Sequence, residues 1–170
     1  MRCPNCAHPN IPGADLCESC GSDLAGLDLP ESSAGFDGRL LGDRIDRLDV
    51  KAPLIVAPDA TVAEAIALLR REKQGCVLVQ DGDQLVGILT ERDVLTRVVR
   101  PDLDAEKTPI SSVMTAAPLT LELSDPAAFA IHRMVVEGLR HLPVVQGGTP
   151  VGFISVRNVL RYLHADVLRG

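Results

Sequence analysis

The sequence contains two copies of one pattern, and the second copy lies 65 positions after the first. Residues 46–98 align with residues 111–163 without a gap. The identical positions are mostly apolar residues or glycines, such as the pair Gly87 and Gly152. Identity concentrated at positions that pack or turn is expected of two copies of one structural unit. The chain therefore has to fold as a pair of similar units, and 170 residues are enough for both.

Each copy has the sequence pattern of a short strand, a helix, two strands and a final helix. The first helix opens at Thr61-x-x-Glu64 in copy one and at Asp125-Pro126 in copy two. The two strands that follow are separated by tight turns, predicted at 81–82 and 147–148. This β-α-β-β-α order predicts an α+β fold built from two repeats.

The end of the first copy has a motif with two interpretations. The strand that ends in Leu89 passes directly into a helix at Thr90, and Asp93 follows one turn later. A hydroxyl and free N–H groups at a helix start can bind a phosphate, and the carboxylate can accept two hydrogen bonds from a ribose diol. The same spacing also matches a capping box, in which Thr90 and Asp93 bond only to each other. Both interpretations can hold together.

The element order and the ending Gly-hydrophobe-x-Thr/Ser-x-x-Asp resemble the cystathionine-β-synthase-type (CBS) domain, and the tandem pair resembles a Bateman module. The resemblance covers about residues 46–165. It implies two repeats packed through their sheets, a homodimer, and an adenosyl ligand in the clefts between repeats. The ligands it implies are AMP, ADP, ATP or S-adenosylmethionine, and the implied role is regulatory, not enzymatic.

The resemblance also implies which residues contact the ligand. The acidic residue of the motif holds the ribose hydroxyls, which points to Asp93, and the hydroxyl residue lies near ribose or phosphate, which points to Thr90. Backbone groups of Ile55, Val56 and Val77 are expected to frame the base.

The second copy departs from this pattern, because Asn158 stands where the carboxylate is expected and Ser155 is its hydroxyl residue. An amide keeps one acceptor but loses the charge-assisted grip on a diol. The loss is about 1–2 kcal/mol, or about tenfold in affinity. We therefore expect one competent cleft, around Thr90 and Asp93, and a weak or empty one around Ser155 and Asn158.

Four basic residues are candidates for phosphate contacts. Arg92 and Arg157 are equivalent positions two residues after each hydroxyl, where the alternative is a solvated arginine on the first helical turn. Arg140 and His141 precede and begin a strand of the second copy, and their side chains could line a phosphate path.

The first 25 residues contain two Cys-x-x-Cys pairs. A two-residue gap lets a tight turn aim both sulfurs at one ion, and two such turns give the tetrahedral S4 geometry of structural zinc. The expected ligands are Cys3, Cys6, Cys17 and Cys20. Gly21 follows the second pair, where the turn can use a positive φ, and the less favourable Ala7 follows the first. The segment resembles a rubredoxin-like zinc ribbon with no open coordination position.

Charge and composition narrow the function classes. The net charge is −6, of which −5 lies in residues 1–38, and aromatic residues make up 2%. Neither a basic surface nor a stacking platform for nucleic acid is expected. We therefore expect the ribbon to dock on a protein partner, still unknown, or on itself. No nucleophile–base pair or open metal site points to an enzyme.

Localisation and domain boundaries complete the predictions. No apolar run approaches the roughly 20 residues that span a bilayer, and clustered cysteines suit a reducing compartment, so a soluble cytoplasmic protein is expected. The predicted domains are a ribbon (1–25), an acidic flexible linker with a short lead-in helix (26–45), and repeats at 46–102 and 103–170. The preferred function is an adenosyl-sensing regulator. The alternatives are a non-sensing dimeric adaptor and, less favoured, a nucleic-acid-binding regulator.

Overall fold

The computed structural model describes residues 1–11, 14–24, 42–99 and 101–167, with side chains up to residue 164. The predicted linker and the start of the lead-in helix fall mostly on residues 25–41, outside the described residues. The chain divides into two compact units. The sheet unit comprises residues 50–122 and 141–155, and the helical unit comprises residues 1–49, 123–140 and 156–170.

The sheet unit contains a four-stranded and a three-stranded sheet. The first has the order β1-β2-β3-β4, with strands β1 (Ile55–Val56), β2 (Cys76–Asp81), β3 (Gln84–Thr90) and β4 (Thr115–Ala116). The second has the order β5-β6-β7, with strands β5 (Leu121–Glu122), β6 (His141–Gln146) and β7 (Thr149–Ser155). In each sheet the first pair is parallel and the hairpin antiparallel, so the β-strand order predicted for both copies is confirmed.

The turns form where the sequence predicts them. Gly82 has φ 56° in the first hairpin, and Gly147 and Gly148 have φ 60° and 88° in the second. These are left-handed conformations, which glycine adopts without the steric cost that a Cβ brings.

Among the described residues, the sheet unit has two helices and a 3-10 turn at Ile110–Ser112. Helix α1 (Val62–Glu72) begins with the predicted capping box, since Thr61 and Glu64 each accept a hydrogen bond from the other's backbone N–H. Helix α2 (Glu91–Asp93) continues as a π-helix over Val94–Val99. The sequence pattern predicted an ordinary final helix for the first copy, and the structure has a wider π-helix in most of this segment.

The core of the sheet unit explains why the first four residues of β2 are all apolar. Val77 and Val79 face a cluster that includes α1, whereas Cys76 and Leu78 face a second cluster with Phe153 of β7. All four β2 residues have exposures of 0–1%. A strand buried on both faces has a continuous run of apolar residues, whereas a strand with one exposed face alternates apolar and polar residues.

Each copy begins with a lead-in segment that comes before its first strand (residues 49–51 and 113–116), and these segments are exchanged between the copies. Strand β4 belongs to the lead-in segment of the second copy but pairs with β3 of the first. Lys51 belongs to the lead-in segment of the first copy but bridges Phe153 in β7 of the second, with two N–H···O bonds of 3.0 Å. Both glycines of the repeated motif lie at these crossings. A Cβ on Gly152 would lie 2.6 Å from the Lys51 carbonyl oxygen, and one on Gly87 would overlap the Met114 side chain.

The helical unit contains the ribbon and helices α3 (Ala127–Val136) and α4 (Val156–Val167). Of the predicted lead-in helix, the described residues include one helical residue at Gly42, and a 3-10 turn follows at Ile45–Arg47. It is held beside the start of α3, because the Ala127 N–H donates to Asp43 and the Ile45 N–H to Asp125. Among the described residues, no helix has the length and apolarity needed to cross a membrane.

Candidate ligand-binding and metal-binding sites

Thr90 and Asp93 form the capping box that their spacing allows. The Asp93 carboxylate oxygen Oδ2 accepts from the Thr90 N–H at 3.0 Å and from the Thr90 hydroxyl at 2.6 Å. The Asp93 N–H in turn donates to the Thr90 Oγ1 at 3.3 Å. Asp93 is 9% exposed. Helix capping by this pair is therefore present, and it orients the carboxylate towards the end of β3.

Arg97 is a further member of this site that the sequence analysis missed. Its Nε lies 3.4 Å from Asp93 Oδ1, one helical turn away. The same guanidinium donates to the backbone carbonyls of Val113 at 3.0 Å and Met114 at 2.8 Å. The acid-to-arginine spacing of four residues was the available signal. Arg97 thus ties Asp93 to the segment that leads into the second copy.

Asn158 in the second copy has a different contact. It is 2% exposed, and its Nδ2 donates to the Asp49 backbone carbonyl at 2.9 Å and lies 3.4 Å from the Asp49 Oδ2. An ionised carboxylate has no proton to donate to either oxygen. The departure from the acidic motif therefore has a structural reason, because the amide fixes the segment that leads into the first copy. Arg161 also lies near Asp49, at 3.7 Å.

The predicted base-framing residues lie on the paired first strands. Ile55 and Val56 form β1 and pair with Leu78 and Val79 of β2. Val77 is fully buried, and Ile55 is 45% exposed. Their side chains therefore have different environments, and only their backbone groups were predicted to contact a ligand.

His141 reaches the start of α2 from the second copy. Its Nε2 lies 2.7 Å from the position that a Cβ on Gly75 would take, and Glu91 Oε2 lies 3.7 Å from the same point. The imidazole ring is 6.0 Å from the Phe153 ring, between centroids. The missing side chain at Gly75 therefore leaves the space that the His141 ring occupies.

The remaining candidates are placed at the ends of their elements. Arg92 and Arg157 are exposed on the first turns of α2 and α4, and Arg140 is exposed before β6. Ser155 is half-buried at the end of β7 and pairs with His141. The exposure of Arg92 and Arg157 agrees with the interpretation of a solvated side chain on the first helical turn. Contact of the three arginines with a phosphate stays a prediction.

Cys76 is a structural thiol at the start of β2. It is 1% exposed. Burial raises the pKa of this thiol to about 12, and the Glu91 carboxylate adds to the shift. The neutral form is therefore strongly favoured in the folded protein.

The four N-terminal cysteines converge as predicted. All four sulfurs lie within 4.8 Å of one another, with Cys3 and Cys20 sulfurs 3.6 Å apart and Cys6 and Cys17 sulfurs 3.5 Å apart. Each pair alternates a buried and an exposed cysteine. Four sulfurs and no other ligand type make a soft donor set that suits zinc.

The two cysteine turns have the same backbone geometry. Ala7 N–H donates to the Cys3 carbonyl, and Gly21 N–H donates to the Cys17 carbonyl, both at 2.9 Å. The residues that end the turns have φ 59° at Ala7 and 70° at Gly21. The positive φ expected at Gly21 is confirmed, and Ala7 adopts the same conformation despite its Cβ.

Polar side chains that the sequence analysis did not predict lie beside the sulfurs of Cys17 and Cys20. The buried Asn10 side chain points its Nδ2 at the Cys17 sulfur, at 3.6 Å, and its Oδ1 accepts from the Glu18 N–H. The Ser22 Oγ lies 3.1 Å from the Cys20 sulfur. Donors at this distance favour the thiolate form of cysteine, which is the form that binds metal.

The thiol pKa values reflect these surroundings. Burial raises the pKa of Cys3 to about 12. Burial also acts to raise the pKa of Cys17, but backbone hydrogen bonds from Cys20 and Ser19 and the Asn10 amide outweigh it and lower that pKa to about 6. The Ser22 hydroxyl is the largest cause that lowers the pKa of Cys20.

Arg133 of α3 contacts the first cysteine turn. Its Nε donates to the Pro4 carbonyl, and the residue is 8% exposed. Burial lowers the pKa of its guanidinium, while the charges of Asp125 and the thiolate of Cys3 act in the opposite direction. The ribbon is therefore packed on a helix of its own chain through a nearly buried cation.

Comparison with known proteins identifies the repeat. The family model described as CBS domain matches residues 45–100 and 110–165. The protein CBSCBSPB1 of Arabidopsis thaliana, a CBS domain-containing protein, is 32% identical over 136 residues, which cover 79% of this chain and 24% of the relative. The chain thus spans about a quarter of the length of the plant relatives it matches.

Solved structures show the same fold. A protein with CBS domains from Burkholderia ambifaria is 32% identical, with a TM-score of 0.64 and coverage of 68% of this chain and 85% of that chain. A CBS domain protein from Pyrobaculum aerophilum, solved in complex with AMP, is 25% identical, with a TM-score of 0.66 and coverage of 75% of this chain and all of that chain. The predicted α+β class with two repeats is confirmed.

Proposed function

Because the chain belongs to the CBS-domain family, we propose that its paired repeats bind an adenosyl ligand and regulate a protein partner. The observation that carries this proposal is the buried carboxylate of Asp93, oriented by Thr90 at the end of β3. A similar protein from Pyrobaculum aerophilum was solved with AMP, which supports an adenosyl ligand. ADP, ATP and S-adenosylmethionine are the other candidates.

Ribose binding requires a rearrangement of the capping box. A carboxylate has about four acceptor positions, and Asp93 already faces three donors, namely the Thr90 N–H, the Thr90 hydroxyl and Arg97. A diol supplies two more donors. We expect the hydrogen bond from the Thr90 hydroxyl to Asp93 to break, because this hydroxyl can rotate. The Thr90 backbone N–H and the Arg97 guanidinium are held in place by other contacts. The freed hydroxyl can then donate to the ligand.

Other residues have supporting roles in this proposal. Backbone groups of Ile55, Val56 and Val77 frame the base. His141 is a candidate phosphate donor, since its imidazole lies against Gly75, whose carbonyl accepts from the Glu91 N–H at the start of α2. The exposed arginines contribute positive charge near the phosphate; they are Arg92, Arg140 and Arg157. The second cleft, around Ser155 and Asn158, binds weakly or not at all, because Asn158 is engaged with Asp49.

The cysteine cluster fits a structural zinc ion in the same proposal. Cys3, Cys6, Cys17 and Cys20 would hold it, and four thiolates leave no open position for catalysis. The acidic ribbon favours protein contacts over nucleic acid. We further propose that the protein is a cytoplasmic homodimer without enzymatic activity, with the ribbon contacting the regulated partner.

A thermal-shift panel tests the ligand. A ligand at 100 times its dissociation constant stabilises the fold by about 2.7 kcal/mol. We expect AMP, ADP, ATP or S-adenosylmethionine to raise the melting temperature of the wild type. Asp93→Asn should shrink that ligand-induced rise, with an affinity about tenfold weaker. Asp83→Asn, at the exposed turn between β2 and β3, is the matched control and should respond like the wild type.

Two results would reject parts of the proposal separately. If none of the four ligands changes the melting temperature, the repeats do not sense adenosyl compounds, and the alternative of a dimeric adaptor is preferred. If the purified protein contains no zinc, or if Cys17→Ser holds as much zinc as the wild type, the metal site is wrong while the ligand site is unaffected.

A further inference from the structure

Arg97 connects the carboxylate of the proposed ribose site with the backbone of the second copy's lead-in segment. Its Nε lies 3.4 Å from Asp93 Oδ1, and its Nη1 donates to the carbonyls of Val113 at 3.0 Å and Met114 at 2.8 Å. Arginine suits such a bridge, because the donors of its planar guanidinium have a fixed geometry.

The two oxygens of the Asp93 carboxylate are held by different residues. Thr90 donates to Oδ2 from its N–H and from its hydroxyl, at 3.0 and 2.6 Å, whereas Arg97 faces Oδ1. The last torsion of an aspartate side chain is broad unless such contacts restrict it. Arg97 therefore completes the orientation of the carboxylate, and it keeps this role when the Thr90 hydroxyl turns towards a ligand.

The backbone that holds Arg97 is itself fixed. Both carbonyls that accept from Arg97 belong to the lead-in segment of the second copy (113–116), whose strand β4 pairs with β3. The Met114 side chain fills the space that a Cβ on Gly87 would take. The guanidinium thus relates the position of the Asp93 carboxylate to that of the lead-in segment.

The acid and the arginine occur together in the first copy. The residues 65 positions after Asp93 and Arg97 are Asn158 and Tyr162, so the second copy has neither member of the ion pair. This distribution is expected of two side chains that act as one unit.

We infer that Arg97 is the positioning residue of the first cleft, which orients Asp93 for a ribose diol and makes ligand affinity depend on the lead-in segment of the second copy. This inference rests on the proposed adenosyl site. Arg97 contacts the carboxylate and acts on the ligand through it. Because coupling between two sites is reciprocal, a ligand on Asp93 should in turn hold the lead-in segment in place.

A double-mutant cycle on AMP binding measures the positioning role. Isothermal titration calorimetry gives the dissociation constants of the full-length wild type, Arg97→Met, Asp93→Asn and the double variant. We expect Arg97→Met to weaken AMP binding about three- to tenfold in the wild type and to add no further loss to Asp93→Asn. Arg71→Met is the matched control and should bind like the wild type, since Arg71 pairs with Glu72 in α1 and its side chain is 72% exposed.

A purely structural role of Arg97 predicts a different pattern. Arg97→Met would then lower the melting temperature and leave the dissociation constant unchanged at a temperature where the variant is folded. Unchanged binding, tighter binding, or a loss of equal size in both backgrounds rejects the positioning role. If Arg97→Met does not fold, Arg97→Lys takes its place in the cycle. It keeps the charge but lacks the planar fork, so the same dependence on Asp93 is expected.

Hydrogen exchange measures the dependence on the lead-in segment. AMP should slow exchange of the backbone amides of residues 113–116 in the wild type more than exchange in α1, and Arg97→Met should abolish this difference. An equal effect of AMP on both segments of the wild type rejects the coupling.

The outcomes separate this inference from the proposed function. ADP, ATP or S-adenosylmethionine replaces AMP as the probe if the thermal-shift panel selects it, because all four contain the same ribose diol. A wild type that binds none of them rejects both proposals. A wild type that binds one of them, with equal affinity in a folded Arg97→Met, rejects the role of Arg97 alone.

Discussion

Restoring the acidic residue in the second copy should destabilise the protein. Asn158→Asp recreates the motif of the first copy by sequence, yet the side chain lies where it has to donate a hydrogen bond. The Asp49 carbonyl is 2.9 Å from the Asn158 amide nitrogen, and the Asp49 carboxylate is 3.4 Å from it. A carboxylate at this place would face two acceptors and be 2% exposed.

The expected cost follows from these contacts. A buried charged group that loses its partner costs about 1–3 kcal/mol, and more when a like charge is close. The Asp49 side chain is 53% exposed, and Arg161 lies 3.7 Å from it, so solvent and a cation reduce the repulsion. We expect Asn158→Asp to lower the free energy of unfolding by about 2–4 kcal/mol at neutral pH. Asn158→Ala, which adds no charge, should cost about 1–2 kcal/mol.

The assay is urea denaturation followed by circular dichroism, since the chain has no tryptophan. Because the new carboxylate is buried beside Asp49, its folded-state pKa is raised above the ordinary 3.9 or so. The folded state then binds more protons than the unfolded state, so the penalty is complete above the folded pKa and fades as the pH falls towards about 4. A variant as stable as the wild type at neutral pH, or a penalty independent of pH, would refute this account of Asn158.

Two further predictions concern packing and pH. Gly152→Ala should destabilise the protein by about 2–4 kcal/mol, since its Cβ would lie 2.6 Å from the Lys51 carbonyl oxygen. Gly87→Ala should cost about 1 kcal/mol, because a flexible methionine can move aside, and equal denaturation midpoints for the two variants would contradict this. Burial raises the pKa of Cys76 from 9.0 to about 12. The unfolded state therefore loses this proton first, and unfolding free energy should fall by up to about 1.4 kcal/mol per pH unit above about pH 9. Cys76→Ala should show a shallower slope, and an identical slope would exclude this thiol as the cause.

The elements of the fold were predictable because they depend on local rules. The Asp-Gly and Gly-Gly turns, the capping box of Thr61 and Glu64, and the two cysteine turns each involve residues within a few positions of one another. The internal repeat then assigned the same elements to both copies. Residue type and short spacing are sufficient for features of this kind.

Several of the features that were missed depend on partners far apart in the sequence. Lys51 pairs with Phe153, and Arg133 contacts Pro4, across separations of about one hundred residues or more. No spacing rule connects such residues. The π-helix at Val94–Val99 was missed for another reason, since its apolar spacing also fits an α-helix.

The exchange of lead-in segments explains why the two copies differ at the position of Asp93. Asp49 and Met114 are equivalent positions 65 residues apart, and the backbone carbonyl of each has to be held. In the first copy Arg97 donates to the Met114 carbonyl, and in the second copy Asn158 donates to the Asp49 carbonyl. The residue equivalent to Arg97 in the second copy is Tyr162, which bonds instead to Asp43. An acidic residue is therefore compatible with the first copy because Arg97 supplies the donor. In the second copy the Asn158 amide has to supply this donor, so the position lacks the negative charge that would bind a ribose.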